Sequence, residues 1–144
     1  MNVLRRAAAK SDIDYLLALR KGAMDEHLRN SGASTGEEEH FARLMYGFEH
    51  AQVLEVNGAR IGLLKVVRQP PAWELIQIQL ENQYRGSGLG TELLEQLIEE
   101  AAKGGCDMKL SVLKANPAKG LYERLGFEVI GQDEYEYQMY RSAA

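Results

Sequence analysis

The sequence predicts a mixed α/β domain, and three features of the chain lead to this prediction. Helical spacing of apolar residues dominates the first third, and a run of antiparallel-looking strands with an Asn57-Gly58 turn follows it. Asn-Gly is the strongest short signal for a hairpin, because both residues tolerate positive φ. A glycine-rich turn at residues 85–90 then joins a strand to an amphipathic helix. The 144 residues contain no linker, so we expect one domain over residues 1–144.

The first third is predicted to form one strand, over residues 3–7, and two helices. Ser11 and Asp12 can cap the first helix, whose apolar side chains recur at helical steps: Ile13, Leu16, Leu17, Met24 and Leu28. The polar residues 30–36 include two glycines and indicate a loop. The second helix is predicted from a stripe formed by Phe41, Leu44, Met45 and Phe48.

The middle of the chain is predicted to form three strands. Residues 52–56 and 60–67 flank the Asn57-Gly58 turn, and Pro70-Pro71 interrupts the chain before a third strand over residues 73–80. Simple alternation places Leu75, Gln77 and Gln79 on one face of this third strand. The other face would then carry Glu74, Ile76, Ile78 and Leu80.

The last third repeats a helix-strand arrangement and ends in two strands. A helix is predicted from an apolar stripe that starts after the glycine-rich turn and stops before Gly104-Gly105: Leu89, Leu93, Leu94, Leu97, Ile98 and Ala101. A strand at residues 108–113 precedes a short helix that Asn116-Pro117 opens and Gly126 ends. Strands at residues 127–131 and 134–141 complete the order β-α-α-β-β-β-α-β-α-β-β.

Composition excludes several classes of protein. A net charge of −4 argues against a nucleic-acid partner, and no apolar run approaches the roughly 20 residues that span a bilayer. Residues 1–10 lack an apolar signal core, and Cys106 has no second cysteine with which to form an internal disulfide. We therefore expect a cytoplasmic protein with no membrane partner. The three histidines have no metal-binding spacing, so we expect no metal site: His27, His40 and His50.

The glycine-rich turn is the segment with the most chemical information. Backbone N–H groups at a helix N-terminus lack internal partners, and glycines let an anion approach them closely. Arg85 adds a positive charge, so the turn suits a pyrophosphate. A tight connection with no ligand remains the alternative. The turn lacks the Gly-Lys-Ser/Thr of a Walker A loop, and it lies too late in the chain for a dinucleotide-binding βαβ unit.

Residues 116–127 supply a second motif, and the two motifs together resemble the GCN5-related N-acetyltransferase (GNAT) family. The family's Arg/Gln-x-x-Gly-x-Gly/Ala turn, which binds pyrophosphate, matches Arg85, Gly88 and Gly90, with Gly86 as an additional glycine. Its later Asn…Leu-Tyr-x-x-x-Gly-Phe pattern matches Asn116, Leu121, Tyr122, Gly126 and Phe127. The resemblance covers nearly the whole chain, from residue 3 to residue 141.

The resemblance implies a GNAT fold, with a mostly antiparallel sheet of six to seven strands flanked by four helices. A splayed pair of strands, ending at Leu80 and Leu113, would hold acetyl-CoA as a co-substrate. The strand segment Ile78, Gln79 and Leu80 would lie along the pantetheine arm. The pyrophosphate would be held by backbone N–H groups of the turn: Arg85, Gly86, Ser87, Gly88, Leu89, Gly90 and Thr91.

The resemblance also assigns catalytic roles, each with an alternative. Tyr122 would donate a proton to the departing thiolate, although a packing role on an amphipathic helix also fits its spacing. Asn116 would cap its helix, contact the cofactor, or do both. Glu74 resembles a glutamate that some members use as a base for the acceptor amine, and a solvent-exposed position at the strand end is its alternative. Gln77 is a further polar group on this strand. Cys106 is expected to be non-catalytic, with direct attack by the amine.

The acceptor is the part of the reaction that the sequence leaves open. In this fold the acceptor site is usually formed by the first two helices and the last hairpin, which are residues 24–48 and 133–137. These stretches are acidic, so they would attract a cationic amine of a small molecule or peptide, or would simply be solvated. Tyr135 and Tyr137 would line the site or pack on the sheet. A homodimer is plausible for the family. A non-catalytic acyl-CoA-binding module and a purely structural domain are the alternative functions.

Overall fold

The computed structural model describes residues 2–31 and 36–144, with only the backbone described for residues 23–31. The described strands form one seven-stranded sheet in the order β1-β2-β3-β4-β5-β7-β6, and four described helices flank it. The strands are β1 Leu4–Ala7, β2 Ala51–Val56, β3 Ala59–Val67, β4 Ala72–Leu80, β5 Asp107–Leu113, β6 Glu128–Gln132 and β7 Glu136–Arg141. The helices are α1 Ile13–Ser31, α2 Glu37–Met45, α3 Leu89–Lys103 and α4 Ala118–Arg124. The predicted fold class and element order are confirmed.

One pair of strands departs from the antiparallel pattern of the sheet. β4 and β5 run parallel, and α3 connects them. Their pairing extends only from Ala72↔Asp107 to Leu75↔Leu110, after which both strands continue without pairing to each other. The expected splay between the strands that end at Leu80 and Leu113 is therefore present, and it forms a V that opens beyond Leu75.

A bulge in β4 changes the predicted faces of that strand. Lys65 of β3 pairs with Gln77, and the next residue of β3 pairs with Leu75, so Ile76 has no residue opposite it. Because an inserted residue shifts the two-residue alternation, Glu74 shares a face with Gln77 and Gln79. Ile78 lies on the other face, where it packs against the core that includes α3 residues. The prediction that Glu74, Ile76 and Ile78 share one face was wrong for this reason.

The two faces of the sheet are covered by different helices. The apolar stripe of α3, with Leu93 and Leu97 among its buried members, packs on one face, and Tyr122 and Phe127 join the same core. On the other face, Leu16 of α1 and Leu44 of α2 pack against strands β2 and β3. No helix in the described part of the chain is both long and apolar enough to cross a membrane.

The helices of the first third differ from the prediction in their bounds and buried side chains. α1 extends through Asn30 and Ser31, which were expected in a loop, and residues 32–35 of that expected loop lie outside the described chain. The structure does not describe the side chains of Met24 and Leu28. α2 begins at Glu37, directly after the predicted loop, and its buried residues are His40 and Leu44. Three expected stripe members differ: Phe41 and Met45 are exposed, and Phe48 lies in a separate short turn.

Lys65 of β3 connects the sheet to the end of α2 by an unusual contact. Its side chain is fully buried, and its Nζ donates to the carbonyl oxygens of Arg43, Leu44 and Tyr46 at 3.1, 2.7 and 2.7 Å. An ammonium has three N–H donors, so all are used. Burial lowers the pKa of Lys65 to about 8. The C-terminal end of α2, where carbonyls lack helical partners, is thereby fixed to the sheet.

Asp12 does not cap α1 as predicted but joins the start of the chain to the sheet. Its buried carboxylate accepts hydrogen bonds from Arg6 at 2.8 and 2.9 Å, from Arg60 at 3.3 Å and from the N–H of Ala9 at 2.8 Å. The hydrogen bonds from Arg6, chiefly, hold the pKa of Asp12 well below its ordinary value. The charged carboxylate therefore stabilises the folded chain at neutral pH.

We predict that Asp12→Asn lowers the free energy of unfolding at pH 7 by about 1–3 kcal/mol, because charged hydrogen bonds to a buried group are lost. The contribution is complete above the pKa of an unfolded aspartate, about 4, and is lost progressively as the pH falls from there towards the lower pKa of the folded protein, so the difference between the two proteins narrows in acid. Urea denaturation at pH 7 and pH 3 measures both effects. Asp14→Asn, at an exposed position of α1, is the matched control. Equal losses in the two variants would contradict the role of Asp12.

Candidate functional site

A cleft of about 640 Å³ lies where the V opens on the α3 side of the sheet, and we call it the V cleft. It is bounded by the end of β4, the glycine-rich turn, the first residues of α3, and α4. Its lining comprises Ile78, Gln79, Leu80, Tyr84, Arg85, Gly86, Gly88, Gly90, Thr91, Leu94, Asn116, Pro117, Ala118, Leu121, Tyr122 and Arg124. The structure thus brings both sequence motifs to one cleft. Of the residues expected at the cofactor, Ser87 and Leu89 are not in this lining.

The backbone of the turn requires its glycines for conformation. Gly86 has φ 74° and Gly88 has φ 85°, which are left-handed values that side chains with a Cβ rarely adopt. A Cβ built at either position meets no atom within 4 Å, so the space in front of both residues is open. The hydroxyl of Ser87 donates to the carbonyl of Tyr84 at 2.6 Å and fixes the loop from the inside.

Most amides of the turn remain available to a ligand, but two do not. The N–H of Arg85 donates to the carbonyl of Asn82 at 3.1 Å, and the N–H of Leu89 makes a long bond of 3.4 Å to Ser87 Oγ. Of the seven amides expected to hold the pyrophosphate, those of Arg85 and Leu89 are therefore already engaged within the protein. The remaining N–H groups have no hydrogen-bond partner among the described residues: those of Gly86, Ser87, Gly88, Gly90 and Thr91.

Tyr122 lies at the inner end of the V cleft. Its ring packs edge-on against Phe127, with 5.8 Å between the ring centres, and its side chain is buried. Its hydroxyl makes no hydrogen bond to any described residue. Burial raises the pKa of Tyr122 to about 12, so the hydroxyl keeps its proton throughout the neutral range. A protonated, unpartnered hydroxyl in a cleft can donate to a developing anion.

Asn116 fixes the start of α4 beside this tyrosine. Its Oδ1 accepts the N–H of Ala118 at 2.9 Å, so the predicted capping role is confirmed. The lining of α4 repeats at helical spacing, because Ala118, Leu121 and Tyr122 face the V cleft together. Arg124 follows on the same helix and adds a cation to the cleft. The sequence motifs did not identify Arg124, although it follows Tyr122 by two residues on the same predicted helix.

Two smaller pockets lie on the side of the V that faces α1 and α2. The gap pocket, of about 110 Å³, lies between the splayed strands, and the α2-side pocket, of about 370 Å³, lies beneath α2. The gap pocket is lined by Arg20, Arg43, residues 75–79, residues 110–113, Asn116, Tyr122 and Glu136. The α2-side pocket is lined by Arg20, Glu39, Ala42, Arg43, Tyr46, Glu74, Leu75, Ile76, Gln77, Ser111 and Glu136. Tyr122 and Asn116 line both the gap pocket and the V cleft, so the two sides meet there.

Two glutamines of β4 carry polar atoms into this junction. Gln77 and Gln79 are more than nine-tenths buried. Nε2 of both residues and Oε1 of Gln79 have no hydrogen-bond partner in the described chain. Burying an unpaired amide costs free energy, so these groups suit a polar ligand at the V.

The two glutamates near these pockets differ in position. Glu74 lines only the α2-side pocket and pairs across the closed part of the V with Lys109. Glu136, at the start of β7, lines both the α2-side pocket and the gap pocket. Burial raises the pKa of Glu136 above its ordinary value. Sequence reasoning placed Glu136 only in a general acidic stretch, because nothing local to it indicates the gap.

The remaining expected residues lie away from the junction. Cys106 is buried in the core beneath α3 and lines none of these pockets. Tyr137 packs on the sheet below the side chains of Lys114 and Lys119, and Tyr135 lies outside the pockets. The part of the expected acceptor region at residues 32–35, and the side chains of residues 24–31, lie outside the description.

Comparison with known proteins gives one family match and partial matches to curated relatives. The model of the acetyltransferase (GNAT) family matches residues 17–127. Two Pseudomonas proteins, from P. paraeruginosa and P. aeruginosa, are L-methionine sulfoximine/L-methionine sulfone acetyltransferases. Each is 39% identical to this chain over 57 residues, which are 38% of this chain and 33% of the relative. The matched segment thus spans about one third of the length of these relatives.

Solved structures resemble the whole chain. The PaiA N-acetyltransferase of Thermoplasma acidophilum, in complex with coenzyme A, has a TM-score of 0.73, 16% identity and 99% coverage of both chains. An Arabidopsis thaliana protein in complex with the bisubstrate analogue CoA-Ac-MVNAL has a TM-score of 0.68, again with 16% identity and 99% coverage of both. At these identities the likeness shows a shared fold.

Proposed function

Because the chain belongs to the acetyltransferase (GNAT) family, we propose that it transfers an acetyl group from acetyl-CoA to the primary amine of a small molecule or peptide. The observation that carries this proposal is the junction at Tyr122 and Asn116, where the V cleft meets the gap pocket. A donor in the V cleft and an acceptor on the other side of the sheet can both reach this point. The protein then acts by direct transfer between them.

The V cleft fits acetyl-CoA. The unpartnered amides of Gly86, Ser87, Gly88, Gly90 and Thr91 would hold the pyrophosphate, at the positive end of α3 that begins with Leu89. Arg85 and Arg124 would add charge-assisted contacts. The segment Ile78–Gln79–Leu80 would pair with the pantetheine arm, because β4 has no strand partner beyond Leu75 on its β5 side.

Tyr122 would act as the acid of the reaction, and Asn116 would contact the donor beside it. Breaking the C–S bond leaves electrons on sulfur, and the Tyr122 hydroxyl can give its proton to that thiolate. Tyr122 lines both the V cleft and the gap pocket, and its hydroxyl makes no hydrogen bond to a described residue. Glu74, in the α2-side pocket, is a candidate for receiving the proton of the amine.

The charges of the α2-side pocket favour an acceptor with a carboxylate near its amine. Arg20 and Arg43 line the pocket together with three carboxylates, so both signs are present: Glu39, Glu74 and Glu136. A zwitterionic α-amino acid matches both signs, whereas a polyamine carries only the charge that the carboxylates attract. The Pseudomonas relatives are named for amino acids of this kind.

A screen of four acceptors with acetyl-CoA tests this class. The acceptors are L-methionine, L-methionine amide, a peptide N-terminus and spermidine, and the release of the CoA thiol is measured. L-Methionine should react fastest, and a preference for spermidine would contradict this.

We predict that Gly88→Glu weakens acetyl-CoA binding on the order of 100-fold or more, because like charges about 4 Å apart near a surface repel by about 4 kcal/mol. Calorimetry measures the affinity. Gly105→Glu is the matched control, since Gly105 also has a left-handed φ of 71° and open space around its Cβ but lies beyond the far end of α3. Unchanged affinity in Gly88→Glu, or an equal loss in Gly105→Glu, would count against the anion site.

We predict that Tyr122→Phe lowers kcat roughly 100-fold, the usual range for loss of a general acid, while acetyl-CoA affinity is retained. The ring contact with Phe127 survives the change, so the thermal midpoint should stay near that of the parent. Tyr135→Phe, outside all pockets, is the control. Because the pKa of Tyr122 is about 12, its deprotonation should lower activity only as the pH approaches that value. A fully active Tyr122→Phe would exclude the acid role.

A further inference from the structure

We propose that Glu136, rather than Glu74, accepts the proton of the acceptor amine. This inference rests on the proposed acetyl transfer and names the base of that reaction. It is carried by the position of Glu136, which is the only carboxylate among the described residues that lines both the gap pocket and the α2-side pocket. An acceptor in the α2-side pocket must pass through the gap pocket to reach Tyr122.

The position of Glu136 is fixed by its strand pairing and by a turn. It begins β7 and pairs with Leu113, the last residue of β5, on the splayed side of the V. The carboxylate of Asp133 accepts the N–H groups of Tyr135 and Glu136 at 2.9 and 2.8 Å, which sets where the strand starts. The carboxylate of Glu136 itself makes no hydrogen bond or ion pair to a described residue, so it is available to an amine.

Glu74 lacks this access. In the parallel pairing of β4 with β5 it lies opposite Lys109, where the two strands are still joined. It lines the α2-side pocket but not the gap pocket, and it is therefore separated from the atoms that Tyr122 reaches. The bulge at Ile76 places it on the acceptor face, but at the closed end of the V.

The surroundings of Glu136 suit a base. Burial raises the pKa of Glu136, nearby Asp133 raises it further, and Arg43 opposes both. The charged groups that line the same two pockets are Arg20, Glu39, Arg43 and Glu74. A carboxylate whose pKa lies closer to neutrality is a more effective proton acceptor at neutral pH than an ordinary one.

The proton balance of the step is as follows. The ammonium form of the acceptor gives one proton to a Glu136 carboxylate oxygen, which passes it to water. The freed nitrogen lone pair forms the C–N bond to the thioester carbonyl carbon, and the C–S pair leaves on sulfur. The nitrogen loses a second proton to water, and the Tyr122 hydroxyl gives its proton to the thiolate. Water then returns a proton to the Tyr122 oxygen, so the reaction of the ammonium form releases one proton to solvent.

The test is the pH profile of kcat/KM from pH 6 to pH 10, with L-methionine or the fastest acceptor of the screen. Glu136→Gln should lower kcat/KM roughly 100-fold at pH 7. This loss should shrink as the pH approaches the pKa of the acceptor amine, because the amine is then deprotonated without a base. Acetyl-CoA affinity should be retained, which also shows that the variant folds. Glu136→Asp should restore part of the activity. Glu128→Gln, an exposed change of the same charge on the neighbouring strand β6 and outside the three pockets of the site, should match the parent.

Each outcome separates this inference from the proposed function. An active parent whose Glu136→Gln variant keeps the parental pH profile overturns the assignment of Glu136 and leaves acetyl transfer in place. The assignment of Glu136 is also overturned if Glu74→Gln, and not Glu136→Gln, shows the pH-dependent loss of kcat/KM. A parent that binds acetyl-CoA but acetylates no amine overturns the proposed function, and the base with it.

Discussion

The separation of β4 from β5 beyond Leu75 is the constraint on which the rest of the site depends. Parallel strands need a crossover, and α3 supplies it here, so its N-terminus lies at the carboxyl end of β4. That is where the two strands part. The anion-binding end of a helix and an unpaired strand edge therefore occur together as one consequence of a single βαβ connection. A V elsewhere in this sheet, between antiparallel neighbours joined by hairpins, would have no such helix beside it.

The bulge at Ile76 determines which side chains meet at the V. Without it, Glu74 would share a face with Ile78 and turn towards α3. With it, Glu74, Gln77 and Gln79 all face α1 and α2. The strand thereby presents apolar residues to the core under α3 and carboxamides to the opposite pockets. Lys65, which pairs with Gln77, uses the same face to hold the end of α2 above the α2-side pocket.

The sequence predicts the parts of the site whose chemistry is local. Glycines at 86 and 88 indicate a left-handed turn, and Tyr122 follows Asn116 at a spacing that places it on the cleft face of α4. Glu136 could not be found in this way, because its importance comes from pairing with Leu113 across the sheet. The wrong face for Glu74 has a similar origin, since a bulge depends on the neighbouring strand and leaves no mark in the alternation of β4. The hydrogen bond from Arg60 to Asp12 is likewise a contact between segments that are far apart in the chain, whereas Arg6 is only six residues from Asp12.

The pockets on the two faces of the sheet give the site two separate entrances. A donor that lies in the V cleft does not block the α2-side pocket, so neither reactant has to leave before the other arrives. Cys106 lies in the core away from the junction, so this cysteine is not placed to carry an acetyl group between the two sides. If the chain transfers acetyl groups as proposed, this layout lets both reactants be bound at once, in a ternary complex. CoA and the acetylated product would then leave from opposite faces of the sheet.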